Sequence, residues 1–307
     1  MIPALLNYSN TIKKLVKESV LPKISNLNQG LKEQLFDVFC YYVPNKERAF
    51  IINRIADCYG IDKSLSSLLE TGLELIFAAY YLRDDLLDDA PTILGQSVNG
   101  SSAKYFSLLA DMLDEIGNMQ IAEYCARQDS CFEHHGSVFN GFLLLSYGQL
   151  QGLRGAGKSV EEYLDIAYNK NGAMMEYAIK MLLPFLPRSD GEHLLDYATS
   201  FGVASQIRND IEDFLSKDTD FLFHDLRMRQ ANFVLSAHYD RTGAACDCGL
   251  NESLDIDVYS VLAPDICFSI KFLYAFKDTM LKTLGLLHNT QCKDYLNEIT
   301  NIVISLK

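Results

Sequence analysis

The chain has 307 residues, of which 49% are hydrophobic, and it carries a net charge of −13 with only seven prolines. This composition supports a large apolar core and excludes a disordered chain. The acidic charge also excludes nucleic acid as an expected partner, because phosphate binding relies on clustered lysine and arginine. No uninterrupted apolar stretch reaches the roughly 20 residues of a membrane span. Charged side chains within the first 20 residues predict an amphipathic helix rather than a signal peptide, so we expect a cytoplasmic protein without an integral membrane segment.

Apolar residues recur at helical spacing along almost the whole chain, for example over residues 65–77 and 163–179. Alternating strand patterns and internal repeats are missing from the sequence. Breaks that contain proline, glycine or clustered polar residues are predicted at 44–45, 91–100, 152–157, 184–191 and 242–251. The sequence therefore predicts an all-α protein in which residues 1–307 form a single domain, a large bundle of helices.

An acidic cluster follows the first of these apolar runs. Asp84 and Asp88 lie one helical turn apart on the same face, and Asp85 is beside them. Three carboxylates on one face repel each other, and hard oxygen ligands at this spacing suit Mg²⁺ that is shared with substrate phosphates. The alternative is an acidic helix end that is merely exposed to water.

A second polar turn lies more than a hundred residues downstream. Asn209 and Asp213 share a helical face, with Asp210 beside them. Two such turns can face each other across a cavity and hold Mg²⁺ ions that clamp a diphosphate. The metals would supply the positive charge that the chain lacks and would stabilise departing pyrophosphate, so that an allylic diphosphate ionises.

These residues resemble the motifs of the trans-polyprenyl diphosphate synthase superfamily. The family pattern DDxxD…RRG corresponds to Asp84, Asp85, Asp88 and Gly95. The pattern GxxFQxxDDxxD corresponds to Gly202, Ser205, Gln206, Asn209, Asp210 and Asp213. The resemblance implies the type I isoprenoid synthase fold, in which helices surround a deep apolar cavity. It also implies a homodimer, about three Mg²⁺ ions with bound diphosphate, and Asp84, Asp85, Asp88 and Gln206 as catalytic residues.

Three further elements of the family occur in order. Asn169–Ala173 resembles the KTG/A segment, whose lysine, Lys170 here, contacts the allylic diphosphate as a catalytic residue. Gly148-Gln149 matches a GQ element, and Asp225-Leu226 begins a DLxxxK segment in which Gln230 replaces the lysine. The resemblance implies that Gln149 and Asn171 contact the substrate. Lys217 and Arg227 follow the second polar turn in the sequence and are candidates to close over the diphosphate. The alternative for Lys217 and Arg227, of equal weight, is that both are ordinary surface charges exposed to solvent.

The departures from the family concern the isopentenyl diphosphate site. Of the GKRxRP segment, which falls on residues 44–49, only Arg48 is unchanged, and Lys46 keeps a charge. The family's histidine falls on Phe77, and its two arginines fall on Ile93 and Leu94. Arginine contacts with phosphate are bidentate and strong, and apolar side chains cannot replace them. Ordinary elongation with isopentenyl diphosphate is therefore not expected.

Three functions remain open. The first is prenyl transfer to a different acceptor, as in the similar pheromone-modifying prenyltransferases. The second is a class I terpene synthase, in which the cation is attacked by its own double bonds or by water. The third is a non-catalytic subunit of a heteromeric synthase, although such subunits commonly lose aspartates. The sequence favours transfer.

Tyr80 is a candidate for limiting the length of the prenyl chain. It lies four residues before Asp84 on the same face, and a bulky side chain at this position limits product length in the family. With Arg48, Lys46 and Phe77, it completes the predicted substrate-binding set. An ordinary core tyrosine is the alternative.

Overall fold

A computed structural model of the chain describes residues 3–43, 48–88, 90–128, 132–153, 155, 157–215, 223–246 and 255–306. Only the backbone is described for 132–139 and 255–257. The chain divides into two compact units, Met1–His135 and Gly136–Lys307.

The elements of the first unit are helices and one small hairpin. In chain order they are α1 (Pro3–Leu15), a π-helix (Val16–Val20), a 3₁₀ turn (Leu21–Lys23), α2 (Gln29–Tyr42), α3 (Arg48–Cys58), α4 (Lys63–Leu87), β1 (Thr92–Ile93), β2 (Gln96–Ser97) and α5 (Gly100–Ala126).

The helix α6 (Phe132–Leu153) leads into the second unit. The elements that follow are α7 (Val160–Ala167), a π-helix (Tyr168–Gly172), α8 (Ala173–Lys180), a 3₁₀ turn (Leu183–Phe185), α9 (Arg188–Leu215), α10 (His224–Met228), α11 (Phe233–Thr242), α12 (Asp255–Gly285) and α13 (Thr290–Val303).

The long helices α4 and α5 pack against each other and form the centre of the first unit. Asp62 caps α4 by accepting hydrogen bonds from the next turn, and Asn99 forms a capping box with Ser102 at the start of α5. Gly72 and Gly117 let the two backbones approach closely, since a Cβ on Gly117 would lie 2.7 Å from the Gly72 carbonyl oxygen. The α4 segment that precedes the first acidic motif is therefore held in the interior.

A two-residue turn joins β1 to β2. Leu94 and Gly95 both have positive φ, at 52° and 71°, as in the turns that suit the twist of a hairpin. Thr92 pairs with Ser97, and Ile93 pairs with Gln96. The hairpin lies inside the predicted break at 91–100, where no strand was predicted.

The centre of the second unit is α9, which packs on α8, the π-helix and α12. The side chains of Tyr197, Phe201 and Phe214 on α9 are fully buried. A buried hydrogen bond of 2.9 Å joins the Tyr197 hydroxyl to Thr300 on α13. This packing fixes the helix that carries the second polar turn.

The all-α prediction is confirmed. The helix α4 ends before the break predicted at 91–100, α6 ends at Leu153 inside the break predicted at 152–157, and α9 begins at Arg188 inside the break predicted at 184–191. The prediction at 44–45 lies outside the described residues, and the single-domain organisation stays a prediction.

Among the described residues, one segment, Val258–Gly285, is long and apolar enough to cross a membrane by length and composition alone. Core helices of soluble proteins pass the same test, and 33% of its most apolar window is buried.

Candidate functional site

The first acidic motif lies at the C-terminal end of α4. Asp88 caps the helix, and its backbone N–H donates to the Asp84 carbonyl at 2.9 Å. The Ala90 N–H donates to the Asp85 carbonyl, also at 2.9 Å. All three aspartate side chains are half-buried. The end of a helix already carries a partial negative charge, so a positive charge near these carboxylates would be stabilising, and carboxylate oxygens are ligands that divalent cations prefer.

Arg83 is the cation next to this motif in the sequence, but its guanidinium is bound elsewhere. It donates to Asp111 at 2.9 Å and to Asp114 at 3.0 Å, both on α5. The arginine therefore ties the end of α4 to α5. The sequence analysis gave Arg83 no role, although two aspartates three residues apart on a neighbouring helix are a suitable partner for an arginine.

Arg48, the one arginine kept from the acceptor segment, lies against aromatic rings. It is 8% exposed, and its guanidinium carbon is 5.1 Å from the centre of the Phe77 ring and 5.4 Å from that of Tyr81. These are cation–π distances. Within the described part of the chain, its Nη1 atom is buried and has no hydrogen-bond partner. Phe77, which replaces the family's histidine, is thus covered by this guanidinium.

The two positions where the family has arginines carry apolar side chains in the hairpin. Ile93 is completely buried, and Leu94 is half-buried at the turn. Lys46 lies outside the described residues. Tyr80 is half-buried, and its ring is 5.7 Å from that of Tyr81.

One aromatic residue on α2 reaches the acidic motif. The Tyr42 hydroxyl donates to Asp85 Oδ2 at 2.6 Å, and the Tyr42 ring stacks on Tyr81 at 6.4 Å. The sequence analysis missed this residue. Only the tertiary packing of α2 on α4 brings together two side chains that are 43 positions apart.

In the second unit, the residues of the polar turn have very different surroundings. Asn209 is exposed, Asp213 is half-buried, and Asp210 is 2% exposed. Both oxygens of Asp210 accept hydrogen bonds, one from Gln206 Nε2 at 2.9 Å and one from the Phe233 backbone N–H at 2.7 Å. Asp210 is therefore partly engaged by the protein itself.

Asp213 is more open to a further ligand. Its Oδ1 accepts the His224 N–H at 2.9 Å, while its Oδ2 is buried and has no hydrogen-bond partner among the described residues. Burial and the nearby Asp225 carboxylate raise the pKa of Asp213 to about 7 and that of Asp210 to about 8. Both carboxyl groups are thus harder to ionise than an ordinary aspartate, and a cation bound beside them would favour their charged forms.

Asp225 is a further member of this cluster. It accepts a hydrogen bond of 2.7 Å from the Asn232 side chain, which also donates to the Asp210 carbonyl at 3.2 Å. The sequence analysis noted Asp225 as part of the DLxxxK segment but assigned it no site role. Asn232, which it missed, is completely buried and caps α11.

Lys170 lies in the π-helix, an irregularity that is frequent at functional sites. It is 8% exposed, and two glycines make room for it. A Cβ on Gly152 would be 3.0 Å from Lys170 Nζ, and one on Gly148 would be 2.6 Å from its backbone nitrogen. Gln149, next to Gly148, is buried.

The structure joins three of the predicted site residues. The Asn171 side-chain amide donates to Gln206 Oε1, and Gln206 Nε2 donates in turn to Asp210. The π-helix and the second polar turn are thus connected by side chains. Arg227 is exposed on α10, and Lys217 lies outside the described residues. No group of three or more His, Cys, Asp or Glu side chains in the described residues is arranged as a ready-made metal site.

The whole chain is similar in structure to several prenyl diphosphate synthases. A decaprenyl diphosphate synthase from Rhodobacter capsulatus has a TM-score of 0.79 at 16% identity, over 98% of this chain and 97% of the other. A polyprenyl synthase from Caulobacter crescentus, complexed with calcium and isoprenyl diphosphate, has a TM-score of 0.79 at 16% identity, over 99% and 98%. A geranylgeranyl pyrophosphate synthase from Lactobacillus brevis has a TM-score of 0.80 at 12% identity, over 97% of each chain.

The fold is therefore that of the isoprenoid synthases. No curated protein sequence matches the chain. The polyprenyl synthetase family model matches residues 33–242. The chain belongs to this family and is a prenyltransferase-type enzyme of isoprenoid biosynthesis, and the predicted family is confirmed.

Proposed function

We propose that the protein is a Mg²⁺-dependent enzyme that ionises an allylic prenyl diphosphate and transfers the prenyl group to an acceptor other than isopentenyl diphosphate. The donor would range from geranyl to geranylgeranyl diphosphate. The Caulobacter structure, which contains calcium and isoprenyl diphosphate, supports binding of a prenyl diphosphate with a divalent cation.

The residues on the donor side fit this chemistry. Asp84, Asp85 and Asp88 would hold Mg²⁺ in the first motif, and Asn209 and Asp213 would hold it in the second, with Asp210 as a more enclosed neighbour. When bound, the metal would neutralise the charge that develops on the leaving diphosphate. Lys170 would add a positive charge at the diphosphate, since its pocket is shaped by Gly152 and Gly148.

The observation that carries the choice of acceptor is the position of Arg48. Its guanidinium lies on Phe77 and Tyr81 rather than beside a histidine, and the arginine positions of the hairpin hold Ile93 and Leu94. A diphosphate acceptor needs several strong cationic or hydrogen-bonding contacts. A less charged acceptor fits these surroundings better.

A terpene synthase is the second candidate, and the aromatic side chains of α2 and α4 favour it. Phe77, Tyr81 and Tyr42 form a stacked series with centroid distances of 6.5 and 6.4 Å. Aromatic faces stabilise carbocations, so any ring face of this series that the Arg48 guanidinium does not cover would suit cyclisation of the donor.

The proposal includes a homodimer, as the family resemblance implies. Tyr105, Leu108 and Met119 are exposed along one stripe of α5, a pattern that suits contact with a second copy. Sedimentation equilibrium would measure the state in solution, and a monomer at micromolar concentration would contradict this part.

The test is an assay of the purified protein with Mg²⁺ and geranyl, farnesyl or geranylgeranyl diphosphate, with and without isopentenyl diphosphate. We expect no efficient formation of longer linear diphosphates. Release of pyrophosphate that requires an added acceptor would support transfer, and a cyclic or volatile product without any acceptor would select the terpene synthase. Efficient elongation would refute the choice of acceptor, and no reaction of any donor under any condition would refute the enzyme proposal.

A further inference from the structure

Tyr42 and Asp85 are joined by a short hydrogen bond between side chains of different helices. The Tyr42 hydroxyl lies 2.6 Å from Asp85 Oδ2, within the range of a bond from a hydroxyl to a charged carboxylate. Tyr42 is 8% exposed, so water competes little for this contact.

The Tyr42 ring is held on two sides. Tyr81 stacks on it with an interplanar angle of 18°, and Tyr41 meets it edge-on at 4.9 Å. Tyr42 is also the last residue of α2, which packs on α4. The hydroxyl therefore has a fixed position relative to the acidic motif.

A neutral donor is well suited to a carboxylate that belongs to a metal-binding motif. A lysine or arginine at this place would compete with the cation for the same negative charge. Arg83, the cation next to the motif, is bound instead by Asp111 and Asp114. Tyr42 thus holds one of the three mutually repelling carboxylates in place without adding a positive charge to the motif.

We propose that Tyr42 is a positioning residue of this enzyme, which fixes the orientation of Asp85 and so raises the affinity of the first acidic motif for Mg²⁺. The inference rests on the proposed function, because it assumes that this motif binds the metal. Residues that orient metal ligands through hydrogen bonds typically change metal affinity by ten-fold or more when they are replaced.

The test compares Tyr42→Phe with Tyr41→Phe, which removes the same hydroxyl one position earlier from a ring that is 49% exposed. Calorimetry would measure binding of inorganic pyrophosphate as the Mg²⁺ concentration is varied. For Tyr42→Phe we expect the half-saturating Mg²⁺ concentration to rise about ten-fold. Its kcat at saturating Mg²⁺ should stay within about two-fold of wild type, because no group that touches the substrate is lost. Tyr41→Phe should match the wild type.

A double-mutant cycle tests whether Tyr42 changes the Mg²⁺ affinity through its hydrogen bond with Asp85. In an Asp85→Ala background, Tyr42→Phe should add little, since no side-chain oxygen remains at position 85 to accept the Tyr42 hydroxyl. An unchanged Mg²⁺ dependence of Tyr42→Phe, fully additive effects, or a fall in melting temperature without a change in Mg²⁺ affinity would each overturn the inference. If the wild-type protein itself binds no pyrophosphate in the presence of Mg²⁺, the proposed function fails as well, so the two failures are distinguishable.

Discussion

Gly202 on α9 lies directly against the backbone of Asn171 in the π-helix. A Cβ on Gly202 would be 2.5 Å from the Asn171 carbonyl oxygen and 2.8 Å from the Cα of Gly172. Because these are backbone atoms, a side chain cannot be accommodated by a change of rotamer. The absence of a side chain at Gly202 lets the lysine-bearing segment and the second polar turn lie side by side.

Gly202→Ala should therefore force the π-helix away from α9. We expect a loss of about 1–3 kcal/mol in the free energy of unfolding, typical of overpacking, and weaker binding of the diphosphate through the displaced Lys170. Urea denaturation and substrate affinity would be measured on the same variant. Gly285→Ala is the control, since nothing lies within 4 Å of its added Cβ, and it should be neutral or stabilising by up to about 1 kcal/mol. Equal stability of the two variants would contradict the packing argument.

Asp84→Asn should abolish turnover while the protein stays folded. The change removes one charge from a group of three half-buried carboxylates at a helix end, so the repulsion within the motif falls. Product formation and the melting temperature are the measurements. Glu298→Gln removes an exposed carboxylate on α13 and should leave activity unchanged. Wild-type turnover of Asp84→Asn at saturating Mg²⁺ would mean that the motif is an ordinary acidic helix end.

Tyr80→Ala tests whether this side chain limits the length of the donor. Tyr80 is half-buried one turn before Asp84, so the prenyl tail would pass it if the metals hold the diphosphate at Asp84 and Asp88. We expect a shift of preference toward longer donors with activity retained. If Tyr80 only fills the core, its truncation costs about 3–5 kcal/mol and leaves donor preference unmoved. Competition between geranyl and geranylgeranyl diphosphate, together with the melting temperature, separates these results.

Asp265→Asn should destabilise the second unit without touching the candidate site. The buried Asp265 on α12 accepts Arg241 at 2.7 Å and His238 at 3.0 Å, both from α11. Because Arg241 is 45% exposed, we expect a loss of about 2 kcal/mol, below the range for fully buried pairs. Glu192→Gln, which breaks the exposed pair with Arg188, should change stability by less than about 0.5 kcal/mol. Equal losses of stability in Asp265→Asn and Glu192→Gln would contradict a structural role for the buried interaction of Asp265 with Arg241 and His238.

The pH dependence of this variant has a definite sign. Burial alone would raise the pKa of Asp265. The hydrogen bonds from Arg241 and His238 outweigh burial and lower this pKa below its ordinary value. A carboxylate with a lowered pKa contributes stability above its unfolded pKa of about 4 and loses it as the pH falls through the folded pKa. The difference in stability between wild type and Asp265→Asn should therefore shrink below about pH 4. A difference that grew toward acid would contradict this pairing.

The sequence predicted the features that depend on local spacing. Asp84 and Asp88 are four residues apart, which places them on the same face of a helix, and the same interval places Asn209 and Asp213 on one face. The apolar side chains of Phe77 and Ile93, at positions where the family pattern has phosphate ligands, were also visible, because aligned positions reveal the residue type. Their degree of burial was not visible.

Features that depend on a distant partner could not be predicted. The spacing of Asp210 is the same whether it binds a metal or the backbone N–H of Phe233, which folds back from 23 positions later. Likewise, the apolar composition near Tyr42 predicts a buried ring, but not that its hydroxyl reaches Asp85. Both contacts depend on which helices pack against each other, and the helical period of the sequence does not predict this packing.

The hairpin that follows α4 determines how readily arginines could be introduced at its positions 93 and 94. At the turn, Leu94 already has the left-handed backbone that favours glycine or asparagine, so an arginine there would introduce little new strain. At the preceding position, Ile93 is fully enclosed, and an arginine would bring an uncompensated charge into the core at a cost of several kcal/mol. The two substitutions are therefore unequal, and Ile93→Arg requires that neighbouring side chains change as well. Packing around Ile93 therefore makes this position hard to change to arginine by a single mutation.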